Sequence, residues 1–246
     1  HRIPAAIAIA ALLASVGVAA GCGESDPEND RIRVVATTTQ VGDLVREIGG
    51  DRIELTTILK PNTDPHDYEP RPSDVKAVAD ADLIFRSGGH LDEWTDQLRS
   101  DSGSEAEVVD LSVNLPVELE SGEHDHNGSH DHESPAHGHD HENHEHDGHV
   151  EHSEEGHDHG EIDPHWWHDP VNVRRAAQTI TNSLSEADRA EATYFADRFR
   201  GFSQRIDQLN RRIAECVRSV PARQRKIVTD HDSFSYFTDR YGIETV

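Results

Sequence analysis

The chain has 246 residues, 34% of them hydrophobic, and a formal net charge of −25, enough length for one large domain or two small lobes. Much of the acidity is local, since residues 119–163 hold fifteen Asp and Glu and no Lys or Arg. Such a balance excludes the basic face that nucleic acid requires and suits cations as partners.

The start of the chain has the pattern of a secreted protein. Arg2 precedes an apolar run, Ile3–Ala20, which leads into Ala19-Ala20-Gly21-Cys22-Gly23. Small residues ahead of a cysteine, after a run of this length, fit a lipoprotein signal peptide over residues 1–22 with Cys22 as the acylated mature N-terminus. A polar tether over 23–30 would then hold an extracytoplasmic domain at the membrane through its lipid. The sequence contains no Met, so it is expected to start after an initiator or to be a fragment.

From residue 31 the periodicity is that of alternating strands and helices. Ile32–Thr38 is apolar and β-branched, and Gln40–Ile48 carries Val41, Leu44, Val45 and Ile48 on one helical face. Ile53–Leu59 reads as a second strand, parallel to the first by the βαβ rule. A loop with four prolines in residues 61–72 follows and holds His66. Pro72–Ala79 is then a helix, Asp82–Ser87 a strand, Leu91–Leu98 a helix and Glu107–Asp110 a strand. These make an N-terminal β/α lobe over 31–118. His66 and His90 both follow strands, where open parallel sheets place ligands. His90 is read as a loop or cleft-lining residue and not as a ligand.

Residues 119–163 interrupt this pattern. Histidines stand at His124, His126, His130, His132, His137, His139, His141, His144, His146, His149, His152, His157 and His159, among acids and glycines. So little apolar surface cannot offset the entropy of ordering, and the segment is expected to be disordered. Its composition is that of a tract with several weak, exchangeable zinc sites.

A helical half follows. Asp163-Pro164-His165-Trp166-Trp167-His168-Asp169-Pro170 closes the tract, and Asp169 with Pro170 opens a helix. Residues 164–187 are expected to finish the N-terminal lobe. Ser185-Glu186-Ala187-Asp188 reads as a capping box for a linker helix over 188–219, with Cys216 packed on its apolar face. Lys226–Asp230, Ser233–Tyr241 and Ile243–Val246 read as strand, helix and strand, the start of a second β/α lobe over 220–246. Because a fold does not usually end on an entering strand, further C-terminal sequence is expected.

His66, His165 and His231 are each ambiguous alone. Together, Asp64-Pro65-His66-Asp67-Tyr68-Glu69-Pro70, the stretch Asp163–Pro170 and His231-Asp232-Ser233-Phe234-Ser235-Tyr236-Phe237 resemble the motifs of the cluster A-I solute-binding proteins, the metal-binding lipoproteins of bacterial ABC importers of zinc and manganese. The resemblance covers residues 31–246. It implies an α/β protein of two β/α lobes with parallel sheets, joined by a long rigid helix, with a metal in the cleft between them. His66, His165 and His231 map to three ligands. The family's fourth ligand is typically acidic and would lie beyond residue 246, so here that position is open to the carboxylate, to water or to a local substitute. The resemblance further implies an ABC permease as partner, a monomer and no catalytic step. Three imidazoles suit tetrahedral zinc, and manganese prefers more oxygen. His168 stands where the family usually has an apolar residue and is kept as a secondary metal candidate. Two alternatives stay open: a zinc hydrolase, since three histidines and an open position also activate water, and a secreted metal buffer built around the tract.

Overall fold

The computed structural model describes residues 31–66, 68–120, 162–229 and 231–246. The expected signal peptide and tether, Cys22 and all thirteen tract histidines lie outside these residues. The described chain is an α/β fold built on parallel sheet. Strand β1 (Ile32–Ala36) is buried on both faces from Val34 onward, where its run is apolar, while Arg33 near its start is exposed. It pairs in parallel with β2 (Ile53–Thr57) on one side, Val34 beside Leu55, and with β3 (Leu83–Arg86) on the other, Val34 beside Leu83. Strand β4 (Glu107–Asp110) adds to β3, so the order is β2-β1-β3-β4. The chain leaves β1 and β3 in opposite directions, which opens a crevice between their carboxyl ends.

Helices cover both faces. On one, α1 (Thr39–Gly49), α4 (Pro170–Ala187) and α5 (Ala192–Ser219) pack Ile48, Ile180, Leu184 and Phe195 into a core closed by Trp166 and Tyr236. On the other, α2 (Pro72–Ala79) and α3 (Trp94–Ser102) bring Val78 and Leu98 against Val35 and Ile84. The expected strands over 32–38 and 53–59 end earlier as strands, but Ile58 N–H and Leu59 N–H still donate to the carbonyls of Ala36 and Thr37. That ladder carries β2 directly into the His66 loop.

Several expectations are corrected. The tract expected to be disordered over 119–163 is ordered at both ends: Glu120 and Ile162 form an antiparallel bridge, and Asp163 N–H donates to Leu119 O at 2.8 Å. Pairing supplies there what composition does not. The capping box at 185–188 is absent because α4 continues through it to Ala187. Asp188 instead lies between the helices, its carboxylate accepting from Ala190 N–H and Glu191 N–H. Helix α5 therefore begins at Ala192, and its 28 residues span about 42 Å. Its apolar stripe is buried only in its first half, at Phe195 and Phe202; Leu209 is exposed. Cys216, expected in a core, is exposed for the same reason. Strand β5 shrinks to Lys226–Ile227, parallel to β6 (Glu244–Thr245), with α6 (Ser235–Tyr241) between them. Helix α3 begins at Trp94 and not at Leu91; residues 91–93 form a turn after His90, whose backbone is left-handed (φ 65°). Among the described residues, no helix is long and apolar enough to cross a membrane.

Candidate metal site

Three segments far apart in sequence meet beyond the carboxyl end of the large sheet. The first is the loop after β2. Its repeated prolines limit its freedom, and Tyr68 pins it further: the Tyr68 hydroxyl donates to Asp74 at 2.6 Å, and its ring lies 5.1 Å from that of Trp94. Burial, followed by the bond to Asp74, pushes the Tyr68 phenol up to about 12, so it stays a donor at any physiological pH. Within the loop, Asp64 Oδ1 accepts the main-chain N–H of His66 at 2.9 Å. This is the Asx turn that an Asp two residues ahead favours.

The second segment repeats the device. Asp163 Oδ1 accepts the main-chain N–H of His165, also at 2.9 Å. The same oxygen lies 2.8 Å from the His165 ring Nδ1. The shared Asp-Pro-His spelling thus has one physical meaning at both places, a tight turn that projects the histidine. Trp166 locks the second turn. It is fully buried, and its indole N–H donates to Ser87 O at 3.0 Å, at the end of β3. Ser87 and Gly88 in turn donate their N–H groups to the buried carboxylate of Asp92, which also accepts from the Thr37 hydroxyl. Burial pushes the Asp92 carboxyl up. The crevice between β1 and β3 is therefore filled by this network, which supports the turn carrying His165.

The third segment is the turn between β5 and α6, which carries His231. The three rings gather around His165. Its centroid is 5.7 Å from that of His66 and 5.7 Å from that of His231, at interplanar angles of 52° and 53°. Two imidazoles about 2.0–2.1 Å from one tetrahedral zinc hold their centroids roughly 5–5.5 Å apart. Among the described residues, no group of three or more His, Cys, Asp or Glu side chains already has finished metal-holding geometry. The two ring separations around His165 are slightly wider than that, so the outer rings would have to move inward for one ion to meet all three. His165, with 13% of its side chain exposed, lies between two exposed histidines, so a cation from solvent can reach all three.

The other candidates lie elsewhere. His168 stacks on Phe234, with ring centroids 4.6 Å apart and 31° between planes. Burial, then the neighbouring His165, pushes its pKa down. His90 pairs with Glu93 and lines a separate cavity of about 440 Å³ with Arg86, Asp96 and Asp110.

A model of the zinc-uptake complex component A, periplasmic, family (ZnuA) matches residues 34–246. The chain belongs to this family. Among curated relatives of the ZnuA family chain, the manganese-binding lipoprotein MntA of Halalkalibacterium halodurans is 29% identical over 236 residues, 93% of this chain and 65% of that protein. The manganese ABC transporter substrate-binding lipoprotein PsaA of Streptococcus anginosus is 29% identical over 92% of this chain and 65% of its own length. This chain thus spans about two thirds of the relatives it matches. Of solved structures, the periplasmic zinc binding protein TroA from Treponema pallidum superposes with a TM-score of 0.68 at 26% identity, over 88% of this chain and 66% of that one. A ZnuA deletion mutant with zinc bound shares the fold at a TM-score of 0.69, covering 88% of this chain and 69% of its own, at 21% identity. The names of these relatives describe metal-binding proteins and a substrate-binding lipoprotein of an ABC transporter.

Sequence reasoning did not single out Asp163, Trp166, Tyr68 or Phe234. The repeated Asp-Pro-His was a usable signal for the first. The others depend on contacts between distant segments, which no local pattern carries.

Proposed function

We propose that this family member is an extracytoplasmic receptor that captures Zn²⁺ as cargo between His66, His165 and His231 and passes it to an ABC permease. The observation that carries the reading is the pair of 5.7 Å ring separations around His165, from residues up to 165 positions apart. The donor set supports zinc: three borderline nitrogen ligands suit a tetrahedral d¹⁰ ion, whereas Mn²⁺ favours oxygen. The named relatives include both manganese and zinc binders, so the preference is argued from the ligands. A fourth position would fall to an acidic residue or water. Acylation of Cys22 would keep the receptor at the membrane, and the His-rich tract would concentrate zinc near the cleft.

A hydrolase would need a carboxylate free to act as a base beside the bound ion. Asp163, the carboxylate that meets the His165 ring, is already committed to that ring and to the main chain of His165. The test is competitive titration of Zn²⁺ and Mn²⁺ against a chromophoric chelator, on the parent chain and on His66→Ala, His165→Ala and His231→Ala. One tight zinc site weakened at least a hundredfold by each substitution is expected. Equal affinity for the two metals, or a tight site indifferent to all three substitutions, would refute the reading.

A further inference from the structure

Asp163 is 3% exposed yet is not itself one of the three clustered groups. It meets His165 twice, through the main-chain N–H and through ring Nδ1, both at Oδ1. A carboxylate oxygen facing Nδ1 favours the tautomer with the proton on Nδ1 and the lone pair on Nε2. The Nε2 edge is the one that a ring held by Nδ1 turns away from Asp163. The backbone of Asp163 is fixed as firmly as its side chain. Its N–H donates to Leu119 O, and its carbonyl accepts from the Tyr236 hydroxyl at 3.1 Å. That hydroxyl in turn accepts from Leu119 N–H at 3.2 Å. Tyr236 lies on α6, five residues beyond His231.

We infer that Asp163 is the positioning residue that selects the His165 tautomer and aims its Nε2 at the cation, with its own backbone braced by Leu119 and Tyr236. The inference rests on the reading of His165 as a ligand. Partners of this kind fix the tautomer and raise the basicity of a metal-bound histidine, and their removal typically costs about 10–100-fold in affinity. Asp64 makes the main-chain bond to His66. The ring contact is described for Asp163, so the two aspartates should not be equivalent.

The test uses the full chain with Zn²⁺ and Co²⁺ as probes. Affinity is read by chelator competition, ligand field by the Co²⁺ absorption spectrum, and the His165 tautomer in the metal-free protein by imidazole ¹⁵N shifts. Asp163→Ala is expected to lose about 10–100-fold in zinc affinity, to mix the His165 tautomers and to alter the Co²⁺ bands. Asp163→Asn, which keeps an accepting oxygen, should retain the Nδ1–H tautomer and lose less affinity. Should the alanine variant fail to fold, the asparagine variant compared with Asp64→Asn carries the test, with the larger affinity loss expected at 163. An unchanged tautomer and spectrum in Asp163→Ala, whatever its affinity, would overturn the inference. So would a greater loss in Asp163→Asn than in Asp163→Ala, or an equal loss at 64 and 163 where only the asparagine variants fold. His165→Ala separates the two levels. If it keeps the tight site, the ligand reading fails. If it loses the site while Asp163→Ala behaves as the parent, only the positioning role fails.

Discussion

Arg240→Ala should destabilise the protein far more than removal of a surface arginine. The Arg240 guanidinium lies 3.0 Å from the Asp169 carboxylate, whose side chain is 2% exposed. It also donates to Asn210 on α5. One side chain of α6 thus ties the start of α4 to α5. Stripping one partner from a fully buried ion pair costs about 3–5 kcal/mol, because the other charge stays buried and uncompensated. Two features reduce that figure here. The guanidinium keeps 22% exposure, and Val171 N–H continues to cap Asp169 at 2.7 Å. The expected loss is therefore about 2–3 kcal/mol. Urea denaturation of the metal-free chain measures it, and a double-mutant cycle with Asp169→Asn isolates the pair at about 1–2 kcal/mol of coupling. A loss below about 0.5 kcal/mol, the level of an exposed pair, or coupling near zero, would show that this contact does not join α6 to the rest.

Asn172→Ala should cost about 2–4 kcal/mol and raise hydrogen exchange at Val117, since the Asn172 amide both accepts from Val117 N–H and donates to Val117 O, leaving both without a partner when removed. Asp92 should give stability an unusual pH slope. Burial raises its folded pKa above the unfolded value, so the folded state binds the extra proton, and its contribution, full below the ordinary carboxylate range, declines from about pH 4 upward through the raised value. Asp92→Asn should remove that decline in denaturation curves taken across the range; a parent curve with the opposite local slope relative to the variant would contradict the assignment. Deleting residues 121–161 and joining Glu120 to Ile162 through a short turn should leave one tight zinc site, because the two ends already pair. A deletion extended to 119–163, which the sequence alone would expect to leave the site intact, also removes Asp163 and should weaken zinc binding by at least about 10–100-fold; titration calorimetry of the two deletions distinguishes the cases.

The large sheet was legible in the sequence because its strands are short, β-branched-rich segments set between helical windows, and α1 shows its stripe in one such window. Helix boundaries were less so. Ser185–Asp188 spells a capping box, but buried Leu184 and Thr181 hold α4 helical up to that point, and packing overrides the local signal. The stripe on α5 extends to Val217 in sequence, yet Leu209 and Cys216 are exposed; periodicity records which side is apolar, not what packs against it. At the site, each histidine was ambiguous by itself, and it was the resemblance of the three motifs together to the cluster A-I proteins that grouped them. Their supports could not be read in advance. Tyr236 acts on Asp163 across 73 positions and Trp166 on Ser87 across 79, and only the folded chain brings those pairs together.

Zinc-edge X-ray absorption on the one-to-one complex of the chain lacking residues 121–161 tests the central claim most directly. The account predicts three imidazole nitrogens at about 2.0–2.1 Å in the first shell, falling to two in each of the His66→Ala, His165→Ala and His231→Ala variants. A first shell with one imidazole or none, or one that survives all three substitutions unchanged, would contradict it.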